Sequence, residues 1–360
     1  MAKKEAKDVV AERLQDTLAK IRTKFGKGSA VIPGQDDAAS EVKHVIGCGI
    51  DVVDKYICGS AGGLAAGRAT EVFSVENGGK TTWAWTCIGA WQRAGSPVIY
   101  VDDERSFDER RLQLFGGDPN RLLLLQPWTM EEGMDQSIDA LDNMKGLKAP
   151  ILWVWDSIAS SQFNDETVKE FGGKKQAADN RSRLLGSFCR QMLPRMVDQQ
   201  IHAMFVNQTR EKRGVLFGPK DTTPGGMPVK FASSLRLQLF PGKGLKNAVG
   251  QHIGRNVTFF VVKSRFSGPF RKAKVRLYYE HGWDNCWATL NHAKDLEVIP
   301  KDVEYTEEGY KLAVSALDER AKVEIAAKRP APRWDNAGPW RPMPPGEANV
   351  TEELGDDDAE

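Results

Sequence analysis

A strand-like run, Ala69 to Phe73, passes into Ser74-Val75-Glu76-Asn77-Gly78-Gly79-Lys80-Thr81-Thr82, and helix-compatible sequence begins at Lys80. No other stretch limits the possible folds as much. Strand, glycine-bearing loop and helix in direct succession form the context that a phosphate-binding loop requires. Glycines let backbone N–H groups turn inward around phosphate oxygens, and the helix points its positive end at them. In such a loop Lys80 reaches the β- and γ-phosphates, the Thr81 hydroxyl ligates Mg²⁺, and Glu76, Asn77, Gly78, Gly79 and Thr82 complete the cradle. Ser74 stands where these loops usually open with Gly. A Gly-rich turn capping an ordinary helix has the same residues, so the choice falls to sequence further on.

From about residue 47, apolar runs alternate with helical patterns, as in a mainly parallel sheet covered by helices. Three more runs end in polar residues: Pro97–Val101 in Asp102-Asp103-Glu104, Pro150–Trp155 in Asp156-Ser157, and Ala203–Val206 in Asn207-Gln208. Open α/β sheets bind ligands beyond the carboxyl ends of their strands. Lys80, Glu104, Asp156 and Gln208 would then collect along one edge suited to nucleotide hydrolysis. An acidic residue after one strand is often only a helix cap, but four polar strand ends together favour a site. Asp156 is placed to hold Mg²⁺ directly or through water. Glu104 is the candidate that orients or deprotonates the attacking water, with Asp102 and Asp103 as rivals. The Gln208 amide can bond the γ-phosphate region and lose that contact after hydrolysis.

The formal net charge of +1 excludes a global basic field, so any nucleic-acid surface must be local. Five scattered cysteines, Cys48, Cys58, Cys87, Cys189 and Cys286, have no metal-ligand spacing and suit a reducing, cytoplasmic setting. No apolar run approaches the ~18 residues of a membrane span, and no apolar signal region opens the chain. At the start, Val9, Val10, Leu14, Leu18, Ile21 and Phe25 recur at helical spacing, and short extended pieces follow at 30–33 and 42–46. Two polar, turn-rich segments, 160–178 and 210–230, flank the expected edge. The second combines basic residues, Gly225-Gly226 and apolar side chains, a mix suited to single-stranded nucleic acid or to a lid over the site. Residues 257–262 and 273–279 read as a strand pair. Beyond 282 a helix-rich piece runs to about 328. The Pro/Trp-rich remainder ends in acid, read as a disordered tail that either solubilises the chain or competes with DNA for basic surface.

Over roughly residues 15–300 the chain resembles RecA-type recombinases. The resemblance lies in Lys24-Phe25-Gly26-Lys27-Gly28-Ser29, Ala61-Gly62-Gly63-Leu64 with Gly67-Arg68, Gly79-Lys80-Thr81-Thr82, Phe205-Val206-Asn207-Gln208 with Arg210, Thr222-Thr223 with Gly225-Gly226, Lys230-Phe231, and Val261-Val262-Lys263 with Gly268-Pro269-Phe270. It implies an α/β fold: a P-loop ATPase core at 47–281, a helix/strand oligomerisation arm at 1–46, a small C-terminal α+β domain at 282–328 and a disordered tail at 329–360. It makes Glu104 the catalytic glutamate and Asp108 the adenine contact. The two polar segments become DNA-binding loops, with DNA contacts at Arg183, Arg190, Arg210, Lys212, Arg213, Phe217, Gly225 and Gly226. Lys263 and Arg265 would reach the γ-phosphate held by a neighbouring subunit. Arg111 stands where bacterial members have an adenine-stacking Tyr, and Arg265 where they have a second Lys; with Ser74, these departures suggest a divergent, even phage-encoded, member.

The implied activity is ATP- and Mg²⁺-dependent. Helical filaments on single-stranded DNA pair it with homologous duplex, and single-strand-binding or mediator proteins are further partners. A helicase-like motor on the same core and a DNA-coating module with weak ATP turnover are the competing readings.

Overall fold

The computed structural model describes residues 2–26, 29–32, 42–59, 62–162, 174–211, 221–326 and 351–352. It divides into two compact units, Met1–Lys43 and His44–Glu360.

In the first unit, helix α1 (Ala2–Phe25) ends where Gly26 turns at φ 102° and donates its N–H to the Arg22 carbonyl at 2.9 Å. The Arg22 guanidinium holds the following segment through the Ala30 carbonyl at 2.9 Å. Leu18 is buried, whereas Val9, Val10, Leu14 and Phe25 stay exposed, so most of the apolar stripe expected of α1 faces outward.

The second unit begins at His44. Its first strand, β1 (Val45–Ile46), which the sequence reading placed in the arm, pairs antiparallel with β2 (Leu64–Ala65) of the core. There follow β3 (Ala69–Ser74), α2 (Lys80–Arg93), β4 (Val98–Asp102), α3 (Glu109–Leu114), β5 (Leu122–Leu125), α4 (Met130–Asn143), β6 (Ile151–Asp156), α5 (Lys174–Asp198) and β7 (Ile201–Gln208). Two-residue strands β8 (Arg210–Glu211) and β9 (Asp221–Thr222) precede α6 (Gly226–Ala232). Then come β10 (Leu235–Lys246), β11 (His252–Ser264), β12 (Lys272–Tyr278), β13 (Gly282–Asp284), α7 (Asn285–Asp295), α8 (Glu307–Ala326) and β14 (Thr351–Glu352).

The central sheet runs β13-β12-β11-β10-β3-β7-β6-β4-β5. Its half from β10 to β5 is parallel, and its half from β10 to β13 is antiparallel. Residues 282–326, expected as a separate small piece, continue this sheet through β13. Ala288 and Leu290 of α7 and Ala313 and Leu317 of α8 pack into the core beneath it.

Alternation of side chains across the strands explains why both faces are dry. Val98, Tyr100, Leu152, Val154, Met204 and Val206 enter one cluster with Trp83, Ile88 and Trp91 of α2. Their in-between neighbours Ile99, Val101, Ile151, Trp153, Trp155, Ala203 and Phe205 enter the other, with Met130 and Met134 of α4 and Leu185, Phe188 and Met192 of α5. Both clusters lie under strands whose carboxyl ends are level. Ser74 pairs with Gln208 and Asp102 with Asp156 across neighbouring strands. That register creates the site.

No helix among the described residues is long and apolar enough to cross a membrane. At the far end, β14 adds to β10, with Glu352 opposite Leu245 and Thr351 opposite Lys246. The rest of 327–360 lies outside the described residues.

Candidate nucleotide-binding site

The turn between β3 and α2 is built around small residues. Gly79 caps α2 in the left-handed region at φ 85°, where a side chain would be strained, and a Cβ there would press on Trp283 and Leu277. A Cβ on Gly78 would run into the Ser74 side chain. The absent Gly at the head of the motif is thereby accommodated: Ser74 fits because Gly78 leaves it room. Its hydroxyl donates to the Val75 carbonyl at 2.6 Å and accepts from Lys80 Nζ at 3.2 Å. Lys80 also donates to the Val75 carbonyl at 3.0 Å. Burial holds its pKa below the usual lysine value, while Asp156, Glu104 and Glu76 pull the other way. The ammonium therefore sits within a carbonyl-lined turn, with no direct carboxylate bond among the described residues.

Three acids follow β4, and the structure separates them. Asp102 is fully buried and accepts from the backbone N–H groups of Ser106 and Phe107, each at 3.1 Å, and from Gln126 at 3.1 Å. It fixes the turn. Asp103 accepts from Trp155 Nε1 and the Ser161 hydroxyl, and burial raises its pKa to about 6. Of the three, Glu104 alone lines the cavity. One of its oxygens accepts from the Ser157 hydroxyl at 2.5 Å and from the Gln208 amide at 3.4 Å.

Asp156, at the end of β6, accepts from the Tyr100 hydroxyl at 2.9 Å and hydrogen-bonds the Thr81 side chain. Burial raises its pKa to about 6, and the neighbouring Glu104 charge adds to the rise.

These groups share one cavity of about 580 Å³, lined by Glu76, Asn77, Gly78, Gly79, Lys80, Thr81, Thr82, Glu104, Arg111, Asp156 and Gln208, together with Arg255, Leu277 and Tyr279. Sequence reasoning missed the last three. Arg255 and Leu277 are cross-strand partners on β11 and β12, and Arg255 Nη1 donates to the Asn77 carbonyl at 3.0 Å. Arg111 lies 5.9 Å from the Trp85 ring centre. Asp108, expected as an adenine contact, caps α3 with one carboxylate oxygen, which accepts from the N–H groups of Arg110 and Arg111 at 2.9 and 3.1 Å; it is not among the lining residues.

A magnesium nucleotide fits this donor set. The glycine cradle would be filled by a Cβ at Gly78, and Lys80 is a cation without a carboxylate bonded to it. Thr81 and Asp156 offer hard oxygens beside one another. No group of three or more His, Cys, Asp or Glu able to hold a metal occurs among the described residues.

The expected DNA-contacting residues lie elsewhere. Arg183 and Arg190 are exposed on α5, seven positions apart and so on the same helical face. Arg210 is exposed and pairs with Thr222, closing the base of the second segment. Lys212, Arg213 and Phe217, like 163–173 of the first segment, lie outside the described residues. Gly225 and Gly226 adopt φ 89° and 68° and begin α6; added Cβ atoms would press on Leu185 and on the Ser182 hydroxyl. Turn geometry and packing on α5 account for the pair without any DNA backbone.

Lys263 and Arg265 stand outside the cavity, at and just beyond the end of β11. Lys263 donates to the Lys230 carbonyl at 2.6 Å, and Arg265 to the Phe231 carbonyl at 3.5 Å. Beneath them, fully buried Glu71 accepts from Arg236 at 2.5 Å and from Asn207 Nδ2 at 3.0 Å. The same Asn207 amide donates to the Pro224 carbonyl at 3.0 Å.

The RecA N-terminal domain family matches residues 12–284. A protein named Protein RecA from Lactobacillus delbrueckii subsp. bulgaricus is 32% identical over 298 residues, covering 82% of this chain and 86% of that one. Protein RecA of Thermus thermophilus is 32% identical over 324 residues, 88% of this chain and 92% of that one. With a mainly parallel sheet, a glycine loop leading into α2 and likeness to whole relatives, the chain belongs to the RecA family.

Proposed function

We propose that this chain is a DNA-dependent ATPase that forms helical filaments on single-stranded DNA and exchanges strands with homologous duplex. The observation that carries the reading is the meeting of Lys80, Glu104, Asp156 and Gln208 in one cavity at the carboxyl edge of the sheet.

Lys80 binds the β- and γ-phosphates from within the glycine turn, exchanging its bonds to the Ser74 hydroxyl and Val75 carbonyl for stronger charge-assisted ones. Thr81 and Asp156 would hold Mg²⁺, which when bound neutralises charge on the phosphate oxygens. Glu104 orients and deprotonates the attacking water, its carboxylate steadied by Ser157. Gln208, already bonded to that carboxylate, senses the γ-phosphate. Its N–H is held by the Asn207 side chain at 3.0 Å, and Asn207 also holds the Pro224 carbonyl. Nucleotide state at the end of β7 is thereby tied to the root of the 210–230 segment, the proposed DNA loop.

Arg183, Arg190 and Arg210 supply phosphate contacts to DNA, joined by Lys212, Arg213 and Phe217. Because Lys263 and Arg265 stand outside their own cavity, they serve a neighbouring subunit's nucleotide, and the arm joins subunits. Rate measurements with and without single-stranded DNA, joined to strand-exchange assays and electron microscopy, test the reading. DNA-stimulated hydrolysis with filaments and exchanged strands is the expected result. Turnover indifferent to DNA would overturn it, and rings that unwind duplex would favour a motor.

A further inference from the structure

We propose that Arg255 is a phosphate ligand of the nucleotide cavity and, at the same time, the brace that fixes its loop. The inference rests on the nucleotide-binding reading of that cavity. Arg255 lies within β11 opposite Leu277 of β12, and its Nη1 donates to the Asn77 carbonyl at 3.0 Å. Asn77 is the one loop residue other than glycine held at positive φ, 57°. Asn takes this conformation more readily than most other side chains, and a contact on its carbonyl helps to hold it. The link from β11 is one such contact.

The guanidinium has donors to spare. It carries five N–H groups in a fixed fork, and its Nε is buried with no hydrogen-bond acceptor. An orphaned donor on a cation is costly in a protein interior. The Nε is enclosed by protein, but Arg255 borders the cavity, where an anionic ligand would take the remaining N–H groups of the fork and offset the buried charge. Charge balance agrees. Glu76, Glu104 and Asp156 all line this cavity, and Lys80 is drawn into the loop's own carbonyls. A polyphosphate entering among three carboxylates needs more positive charge than Lys80 supplies. Arg111 and Arg255 are the other cationic side chains in the lining, in addition to any bound Mg²⁺, and of the two Arg255 is the one bonded to the loop.

Placement indicates which phosphates are served. Lys80, Glu104, Asp156 and Gln208 form one interacting group, whereas Arg255 is joined to Asn77 and borders Leu277 and Tyr279. Arg255 therefore serves the α- and β-phosphates and leaves the γ-phosphate to the other group.

Calorimetric titration of the full chain with Mg²⁺ and ATP, ADP or adenosine tests this. Arg255→Ala, Arg255→Lys and Arg255→Gln are compared with Lys80→Ala as a control. Arg255→Ala is expected to weaken ATP and ADP by about tenfold each, the size of one charge-assisted contact, and adenosine by less than about twofold. Arg255→Lys should recover part of the loss, because it keeps the charge. Arg255→Gln should not, although its amide can still reach Asn77. ADP binding unchanged in Arg255→Ala but weakened in Lys80→Ala would overturn the assignment. So would wild-type affinity in Arg255→Gln, which would leave only a brace. If no variant, Lys80→Ala included, changes binding, the cavity is not a nucleotide site and both readings fall. Should Arg255→Ala not fold, the Lys and Gln pair carries the decision, with thermal unfolding as the check.

Discussion

The two halves of the central sheet serve the site in different ways. In the parallel half, every functional group stands at or just past a strand end: Lys80 after β3, Glu104 after β4, Asp156 closing β6 and Gln208 closing β7. These groups reach one another through side chains. In the antiparallel half, Arg255 and Leu277 face the cavity from within long strands, Tyr279 follows β12, and Lys263 and Arg265 lie beyond the cavity altogether. The parallel half concentrates reactive groups because parallel strands end together. The antiparallel half, with its strands running both ways, supplies a wall and a second surface. On the proposed function, chemistry falls to one half of the sheet and assembly to the other, with β10 as the border.

The sharpest way to break this division is Lys263→Ala with Arg265→Ala. If the pair completes a neighbour's site, turnover should fall by about a thousandfold, the scale of losing a charge supplied from another subunit, while ATP binding by the isolated chain persists. Mixing this protein with Lys80→Ala should recover DNA-stimulated hydrolysis at mixed junctions. No recovery among folded, co-assembling subunits would return both cations to a structural role on the α6 carbonyls.

Next in size, Glu104→Gln should lower turnover by about a hundredfold with ATP binding kept. A normal rate would move the chemistry to Asp103, because Asp102 is spent on backbone N–H groups.

Asp156 gives an effect on stability. Its carboxyl is raised from 3.8 to about 6, so between those pH values the folded chain holds a proton that the unfolded chain has released. Stability from this group is therefore highest at low pH and is lost as pH rises through that window, by roughly 3 kcal/mol at most. Asp156→Asn should make that stretch of the pH profile shallower in urea unfolding, with the shares of Asp103, raised to about 6, and Asp54, raised to about 7, still present. It should also raise stability at pH 8 while abolishing metal-dependent turnover. An unchanged profile would mean that the buried carboxyl titrates normally.

The smallest effect belongs to the DNA side. Arg210→Ala should lower the slope of log affinity for single-stranded DNA against log salt by about 0.7, one phosphate contact. Equal slopes would remove Arg210 from the DNA surface.

What could be read from sequence follows the same division. Polar residues that close apolar runs are visible in a linear chain, and a parallel sheet makes them neighbours. Lys80, Asp156 and Gln208 were legible for that reason. The choice among Asp102, Asp103 and Glu104 was not legible from spacing, because it depends on which way each side chain turns at the end of β4. Resemblance pointed to Glu104, and the cavity places Glu104 alone of the three in its lining. Arg255 was hidden for another reason. Alternation identifies the two faces of β11, but nothing in it shows that one residue meets a loop 178 positions earlier. Gly225 and Gly226 carry a second demand that the sequence did not show: besides the DNA approach expected of them, the start of α6 and its packing on α5 call for residues without a Cβ. Asp108, expected as a base contact, also starts α3 through one of its carboxylate oxygens, a role that spacing did not reveal.

The buried meeting of Glu71, Asn207 and Arg236 bears on how such a chain can drift. Its members stand 136 and 165 positions from Glu71 in sequence, yet none can be replaced alone without stranding a charge or an amide in the interior. Breaking a buried pair costs about 3–5 kcal/mol, a large share of the 5–15 kcal/mol that keeps a domain folded. Single replacement at these positions is costly, and a change of the set together to apolar residues costs less. Ser74 beside Gly78 illustrates the opposite case: a local exchange of bulk, settled within one turn. A single change in the Glu71 trio is therefore costly to the fold, whereas bulk in the loop above it is settled between two neighbouring residues.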